Sequence, residues 1–362
     1  MRVVIFCHSL ISDWNHGNAH FLRGVVSELD SRGHEVRVYE PEDAWSVQNL
    51  VADHGTALIE EVRAAFPSIQ PIRYRADRLD LGASLEGADL VLVHEWNDPE
   101  LVRRVGEERR KGERFQLYFH DTHHRAVSDP AAIARLDLSA YDGVLAFGRS
   151  LADRYLENGW TRRAFVWHEA ADTTTFFPYD MPKDLDLIWI GNFGDGERTA
   201  ELEDLILNPV RDLGLRAMFY GVRYPESALA AMKRAGIQYG GFLPNHRVPR
   251  VLARARLTVH VPRRPYVESL WGIPTIRPFE ALACGIPLIC GPWRDTEGLF
   301  EVGRDYLVAR NGAEMKQHIR ALLDAPTMAD AMAERARWTL LGRHTCVHRV
   351  DELLAIAGGS QA

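Results

Sequence analysis

No apolar run in this 362-residue sequence reaches the roughly 18 residues that a membrane-spanning helix needs, so no transmembrane segment is expected, and peripheral contact with a membrane is left open. Cysteine is scarce. Cys7, Cys284, Cys290 and Cys346 are widely scattered, three of them inside apolar runs, and none belongs to a CxxC pair. Such usage argues against a disulfide framework and for a reducing compartment, the cytoplasm. The opening residues lack a secretion signal, because their apolar run is too short and no small-residue cleavage site follows; they read as a first β-strand. An excess of positive charge is also missing: the formal net charge is −7, which gives no general pull toward polyanions and makes nucleic acid an unexpected main partner. What is present is an ordinary globular balance, 46% hydrophobic and 26% charged, in a chain whose length suits two domains.

Short β-branched apolar runs alternate with amphipathic segments along the whole chain. Strands are expected at residues 3–7, 35–39, 89–94, 115–119, 143–147 and 164–167, with helices at 18–31, 99–110 and 150–157 between them. The stretch Phe176-Phe177-Pro178-Tyr179-Asp180-Met181-Pro182-Lys183 interrupts this rhythm with two prolines. A second series follows, with strands at 185–190, 217–220, 257–261, 287–290 and 306–309 and helices at 224–235, 247–255, 274–284 and 312–323. Strands spaced by helices imply parallel, doubly wound sheets whose ligands meet the carboxyl ends of the strands. The reading is therefore α/β, with a first Rossmann-like domain over 1–177, a second over 184–342 and a final helix over 343–362.

The most informative segment is Gly272-Ile273-Pro274-Thr275-Ile276-Arg277-Pro278-Phe279-Glu280, which continues as Ala-Leu-Ala-Cys284-Gly285-Ile-Pro287. Prolines at 274 and 278 fit a loop entering a helix, where unpaired backbone N–H groups and the helix dipole favour an anion. A diphosphate can then lie against Thr275, Ile276 and Arg277. Glu280 follows by three residues, near Arg277 on the helix surface, and its carboxylate can accept two hydroxyl donors from a ribose.

This segment resembles the nucleotide-sugar-binding signature of retaining glycosyltransferases of the GT-B fold, the large family-four type. Its usual form has two glutamates with seven residues between them, followed by Ala-x-Ala-x-Gly-x-Pro. The string Arg277-Pro-Phe-Glu280-Ala-Leu-Ala-Cys-Gly is similar to the CgeB-like branch of those enzymes. The resemblance implies two Rossmann-like domains facing one another across a cleft, the last helix crossing back to the first domain, and Glu280 as the ribose ligand. Position 272, where the first glutamate belongs, is glycine here. Glu268 lies four residues earlier as a substitute from a differently shaped loop.

Two further segments agree with a donor site. Ile190-Gly191-Asn192-Phe193-Gly194-Asp195-Gly196 follows the first strand of the second domain, where glycine permits close backbone approach, and Arg198 lies just beyond as a diphosphate cation. In the resembled family an Arg and a Lys follow that strand; Asn192 stands at the Arg position and Arg198 matches the Lys. Gly240-Gly241-Phe242-Leu243-Pro244 resembles the loop on which the nucleobase rests. Arg263 and Arg264 are alternative phosphate contacts.

In the first domain, the loop from Ser12 to His20 follows the first strand. Gly17 allows its turn, Asn18 is a candidate helix cap, and Asp13 and His16 are placed to orient an acceptor hydroxyl or take its proton. His120, in Phe119-His120-Asp121-Thr122-His123-His124, matches a family histidine that contacts the donor sugar. The histidines of that loop and of His344-Thr-Cys346-Val-His348 lack a second cluster at ligand spacing, so no metal is expected. The implied activity is metal-independent transfer of a sugar, without a cofactor, from a UDP, GDP or dTDP donor to a small-molecule or glycan hydroxyl, with retention. Two alternatives stand beside it: a nucleotide-sugar epimerase of the same fold, and a nonenzymatic nucleotide-sugar-binding protein.

Overall fold

Val3–Phe6 and Leu90–Val93 are each at most 1% exposed, a state that strands reach only inside a parallel sheet covered by helices on both faces. The computed structural model describes residues 1–112, 114–194 and 196–359, and the chain divides into two units. The first comprises Met1–Glu169 and the chain from Cys346 on, the second Ala170–Thr345.

The first unit carries a seven-stranded parallel sheet. Its strands are β1 (Arg2–Phe6), β2 (Glu35–Pro41), β3 (Ile72–Tyr74), β4 (Leu90–His94), β5 (Gln116–Asp121), β6 (Gly143–Ala146) and β7 (Ala164–Val166), in the order β3-β2-β1-β4-β5-β6-β7. Ile5 pairs with Val38 on one side and Leu92 on the other, so the winding reverses between β1 and β4. The helix Cys346–Gly359 packs on the helix Asn18–Ser31. It presents Val350 and Leu353, both fully buried, and the Arg349 carbonyl accepts the Trp167 indole N–H at 2.8 Å.

The second unit repeats the plan with β8 (Leu185–Ile190), β9 (Ala217–Tyr220), β10 (Gln238–Tyr239), β11 (Ala255–His260), β12 (Leu288–Cys290) and β13 (Leu307–Val308), ordered β10-β9-β8-β11-β12-β13. All its pairings are parallel, and the winding reverses between β8 and β11. The units divide between Glu169 and Ala170, ahead of the proline-bearing stretch and of residue 177, because Ala171 and Phe176 pack into the second core. At the other end, His344 stays with the second unit through a 2.9 Å bond from its ring to the Leu299 carbonyl, so the helix assigned to the first unit starts at Cys346.

The strands at 185–190 and 217–220 and the helices at 18–31 and 99–110 coincide with their sequence reading. The short edge strands β3 and β10 and the helices Trp45–His54, Ala57–Ala65 and Pro326–Arg343 are additions. Both residues of β10 are exposed, and two residues carry no readable alternation. Asn18 does not cap its helix: no side-chain cap bond forms there, and its amide donates instead to Glu169 at 3.0 Å.

Candidate functional site

In the second unit, the reversal of winding lies where β8 ends at Ile190 and β11 at His260. Arg198 ties these two ends together. Its Nε donates to the Asn192 carbonyl at 3.1 Å and its Nη1 to the Val261 carbonyl at 2.9 Å, while the guanidinium lies 5.2 Å from the Trp189 ring. Gly191 makes room for this packing, since a Cβ there would stand 3.0 Å from the Trp189 ring and 3.2 Å from Arg198 Nη2. The close approach that its glycine permits is thus occupied by the protein's own side chains. Asn192 accepts the Val222 N–H at 3.3 Å. Asp195 of the same loop lies outside the described residues.

Burial first, and then the neighbouring guanidiniums of Arg263 and Arg277, lower the Arg198 pKa to about 9. Arg198 remains charged at neutral pH, and the charges of Arg263 and Arg277 reach it at this edge of the sheet. Arg263 is paired with Glu197, and Arg277 with Glu280, three residues further along its helix. Arg264 instead turns outward to Glu201. The same positive surroundings, after burial itself, hold His260 down to about 3.

The helix Ile276–Ala283 begins beside these cations. Thr275 precedes it at φ 59°, a left-handed conformation that is unfavourable for a β-branched residue. Pro278 has no N–H, so the helix entry presents the N–H groups of Thr275, Ile276 and Arg277. Glu280 is 1% exposed and, with Ile190, His260 and Arg277, lines a recess at the strand ends. Phe242 and Leu243 are partly buried in the loop after β10, with Leu243 packed against the second core.

A side chain at position 272 would be strained and would have to displace its neighbours. Gly272 has φ +87°, and a Cβ there would stand 2.5 Å from Thr296 Oγ1 and 3.2 Å from Glu297 Oε1. The Gly272 N–H donates to the Arg294 carbonyl at 2.9 Å, which holds the loop 294–297 against it. Glu268 is exposed at the end of its short helix, whereas Glu297, not singled out by its sequence context, is the carboxylate brought next to Gly272.

In the first unit, the corresponding strand ends bring His16 and His120 into one buried row through His94. Ring centroids are 6.1 Å apart for His16 and His94, and 5.2 Å for His94 and His120. His8 continues the row, 5.2 Å from His16. Burial keeps these rings neutral: it lowers His8 to about 4 and His120 to about 3, and His16 and His94 well below their ordinary value. Asp13 is engaged by Arg23 at 2.9 Å in a pair whose side chains are each 1% exposed; the Arg23 guanidinium also donates to the Leu10 carbonyl. Its carboxylate therefore secures the loop after β1.

Glu95, just after β4, accepts from Arg125 at 2.6 Å and lies 3.4 Å from the Thr122 hydroxyl. Burial, with the charge of Asp121 added, raises Glu95 to about 8. Asp121 is raised by burial too, and accepts the Tyr155 hydroxyl at 2.6 Å. His8, His94, Glu95 and Arg125 are additions to the sequence reading. For His94 and Glu95 the one signal was position, since the strand at the winding reversal ends at His94 and Glu95 follows it. Among the described residues no group of three or more His, Cys, Asp or Glu side chains is arranged to hold a metal ion, and no helix is long and apolar enough to cross a membrane.

Residues 198–355 match the family model described as glycosyl transferase-like. The whole chain is similar in fold to Anabaena HepE, solved with UDP and glucose (TM-score 0.71, 13% identity, 99% of this chain and 100% of that one). It is also similar to sucrose-phosphate synthase from Thermosynechococcus elongatus (TM-score 0.67, 13% identity, 98% of each chain) and to a glycosyltransferase from Rickettsia africae (TM-score 0.68, 13% identity, 99% and 98%). No curated protein matches the sequence. The fold is that of the GT-B glycosyltransferases, and the segment that matches the glycosyl transferase-like model lies mainly in the second unit.

Proposed function

We propose that the protein moves a sugar from a nucleoside diphosphate donor to an acceptor hydroxyl, without a divalent metal and with retention at the anomeric carbon. The observation that carries this reading is the charge of Arg263 and Arg277 reaching Arg198 beside the entry of the helix Ile276–Ala283, with Glu280 buried one turn further on. A diphosphate placed there is held by the N–H groups of Thr275, Ile276 and Arg277 and faces guanidinium charge fixed before it arrives, the arrangement that stabilises a leaving group most effectively. Glu280 takes the ribose hydroxyls, Gly191 and Asn192 shape the phosphate loop, and the base rests on Phe242 and Leu243. The bond from the anomeric carbon to the phosphate oxygen breaks as the acceptor oxygen bonds to that carbon. With retention, the acceptor proton can pass to the departing phosphate oxygen on the same face of the sugar.

A uridine donor is favoured among the UDP, GDP and dTDP types because the structurally similar HepE was solved with UDP. His16 and His120 are assigned to orienting the sugar and the acceptor, and Asp13 to holding their loop. Four buried cysteines that form no disulfide suit a reducing compartment such as the cytoplasm.

The test is a thermal-shift screen with UDP-, GDP-, dTDP- and ADP-sugars on the wild type and on Glu280→Ala. Stabilisation by one of them, reduced at least tenfold in apparent affinity by the substitution, is expected. Absence of any stabilisation, or indifference to the substitution, overturns the donor site. An inverted anomeric centre in the product NMR spectrum overturns retention.

A further inference from the structure

A cavity of about 440 Å³ lies in the first unit beside β3, the edge strand of its sheet. Its volume falls within the roughly 300–1,000 Å³ of small-molecule sites, and it shares no lining residue with the donor recess or the histidine row. Part of its wall is apolar: Ile11 and Ile69 are 3% and 5% exposed, and two prolines stand with them. These prolines, at 67 and 71, fix φ within the turn between the helix Ala57–Ala65 and β3. Phe66 anchors the same turn, its ring 4.7 Å from the Arg23 guanidinium and its carbonyl accepting the Ile69 N–H at 3.0 Å. The wall is therefore set before a ligand arrives, which lowers the ordering cost of binding.

The polar part of the wall is Arg63, Gln70 and Arg73, and no carboxylate lines the cavity among the described residues. Arg63 and Gln70 are exposed, so the cavity opens to solvent. Arg63 is paired with Glu60 at 2.7 Å, and the Gln70 amide donates to the Pro67 carbonyl at 3.3 Å within its own turn. Arg73 is bound by carbonyls alone: its Nη2 donates to that of Glu42 at 2.6 Å and to that of Pro41 at 3.5 Å. Neither offsets its charge. Glu40, its neighbour across the pairing of β2 with β3, accepts the Leu10 N–H at 2.8 Å, and burial raises its pKa despite the charge of Arg73. One positive charge is thus left at the wall, on a side chain already held in place.

A carboxylate brings one negative charge and is planar, so it meets a guanidinium edge to edge; a phosphate monoester brings nearly two charges at neutral pH. We propose that this cavity binds a small organic monoanion, a carboxylate on an apolar ring or short chain, with its oxygens on Arg73 and Arg63 and its apolar body on Ile11, Ile69 and the two prolines. Such a ligand is neither the donor nor the acceptor of the transfer reading, and its site stands on the first unit alone.

The full-length protein tests it by saturation-transfer NMR and calorimetric titration. The probes are benzoate and hexanoate, their neutral amides, phenyl phosphate and inorganic phosphate. Benzoate or hexanoate should bind saturably, and its amide at least tenfold more weakly. Arg73→Gln should weaken the carboxylate at least tenfold, and Arg63→Gln and Ile69→Ala at least threefold each, with the thermal shift given by UDP unchanged. Arg63 is exposed on a helix, so its variant keeps the test sound if Arg73→Gln fails to fold. Absence of saturable carboxylate binding, amides that bind as well as the acids, or arginine variants within twofold of the wild type overturns the proposal. Preference for phenyl phosphate overturns the monoanion, and inorganic phosphate binding as tightly as benzoate overturns the apolar body. Carboxylate binding that depends on Arg73, in a protein that no nucleotide-sugar stabilises, overturns the transfer reading and leaves this site standing.

Discussion

Glu280 and Gly272 show how far one position can be argued from its surroundings. Glu280 is buried and paired with Arg277 on the same helix, so its alanine variant leaves Arg277 without its carboxylate as well as removing the acceptor for ribose hydroxyls. Glu280→Gln keeps the shape and loses the charge. It should bind the donor between wild type and alanine, as read from the same thermal shifts. Gly272 combines a left-handed backbone with a neighbour 2.5 Å from any added Cβ. Restoring the family's glutamate by Gly272→Glu should therefore destabilise the protein by about 1–3 kcal/mol and lower transfer. Urea denaturation checks the first, and a more stable or more active variant would refute the steric account. Neither constraint is visible in the string Trp271-Gly272-Ile273, because Thr296 and Glu297 reach position 272 only through the fold.

At the scale of elements, the terminal helix is part of the first unit's core although it follows the second unit in sequence. It supplies Val350 and Leu353 at 0% exposure and Ala357 at 2%, accepts the Trp167 indole N–H, and pairs Asp351 with Arg32 at 2.5 Å. Removing a buried leucine side chain costs about 2–5 kcal/mol. Leu353→Ala should accordingly lower the thermal transition of the first unit by several degrees. Calorimetry with UDP present, which raises only a transition coupled to donor binding, distinguishes the two units; an unchanged thermogram would refute this packing. The apolar stripe of this helix is legible in Val350, Leu353 and Leu354. That it returns to the first domain was implied by family resemblance, and that it covers the helix Asn18–Ser31 was decided by the fold, since an amphipathic pattern names a buried face and not what lies against it.

For the molecule as a whole, pH acts on two opposed sets of buried groups. His8, His16, His94, His120 and His260 have folded pKa values below the ordinary imidazole value, mainly through burial. Below about pH 6.5 the unfolded chain takes up protons that the folded chain refuses, so their stability is complete above that pH and falls as the pH drops toward 4, by up to about 1.4 kcal/mol per pH unit for each histidine. Glu95, held up at about 8 by burial and Asp121, has the opposite sign: its contribution is complete below about pH 4.5 and is lost as the pH rises through 8. The melting temperature should peak near neutrality and fall more steeply on the acid side. Glu95→Gln should flatten the alkaline limb. A melting temperature that stays constant from pH 6.5 to 5 would contradict the buried neutral row.

The division between sequence and fold follows from the range of the forces involved. Strand and helix positions at 185–190, 217–220, 18–31 and 99–110 are written in local periodicity, and the entry of the helix at Thr275–Glu280 in prolines and spacing, because those signals act within a few residues. The two-domain, doubly wound plan and the place of Glu280 were legible for that reason. The row His8, His16, His94 and His120, the pairing of Glu95 with Arg125, the use of Arg198 to tie β8 to β11, and the strain that any side chain at 272 would meet were decided by the tertiary structure. Each joins residues far apart in the chain, and burial, which sets their charge and their partners, has no local signature.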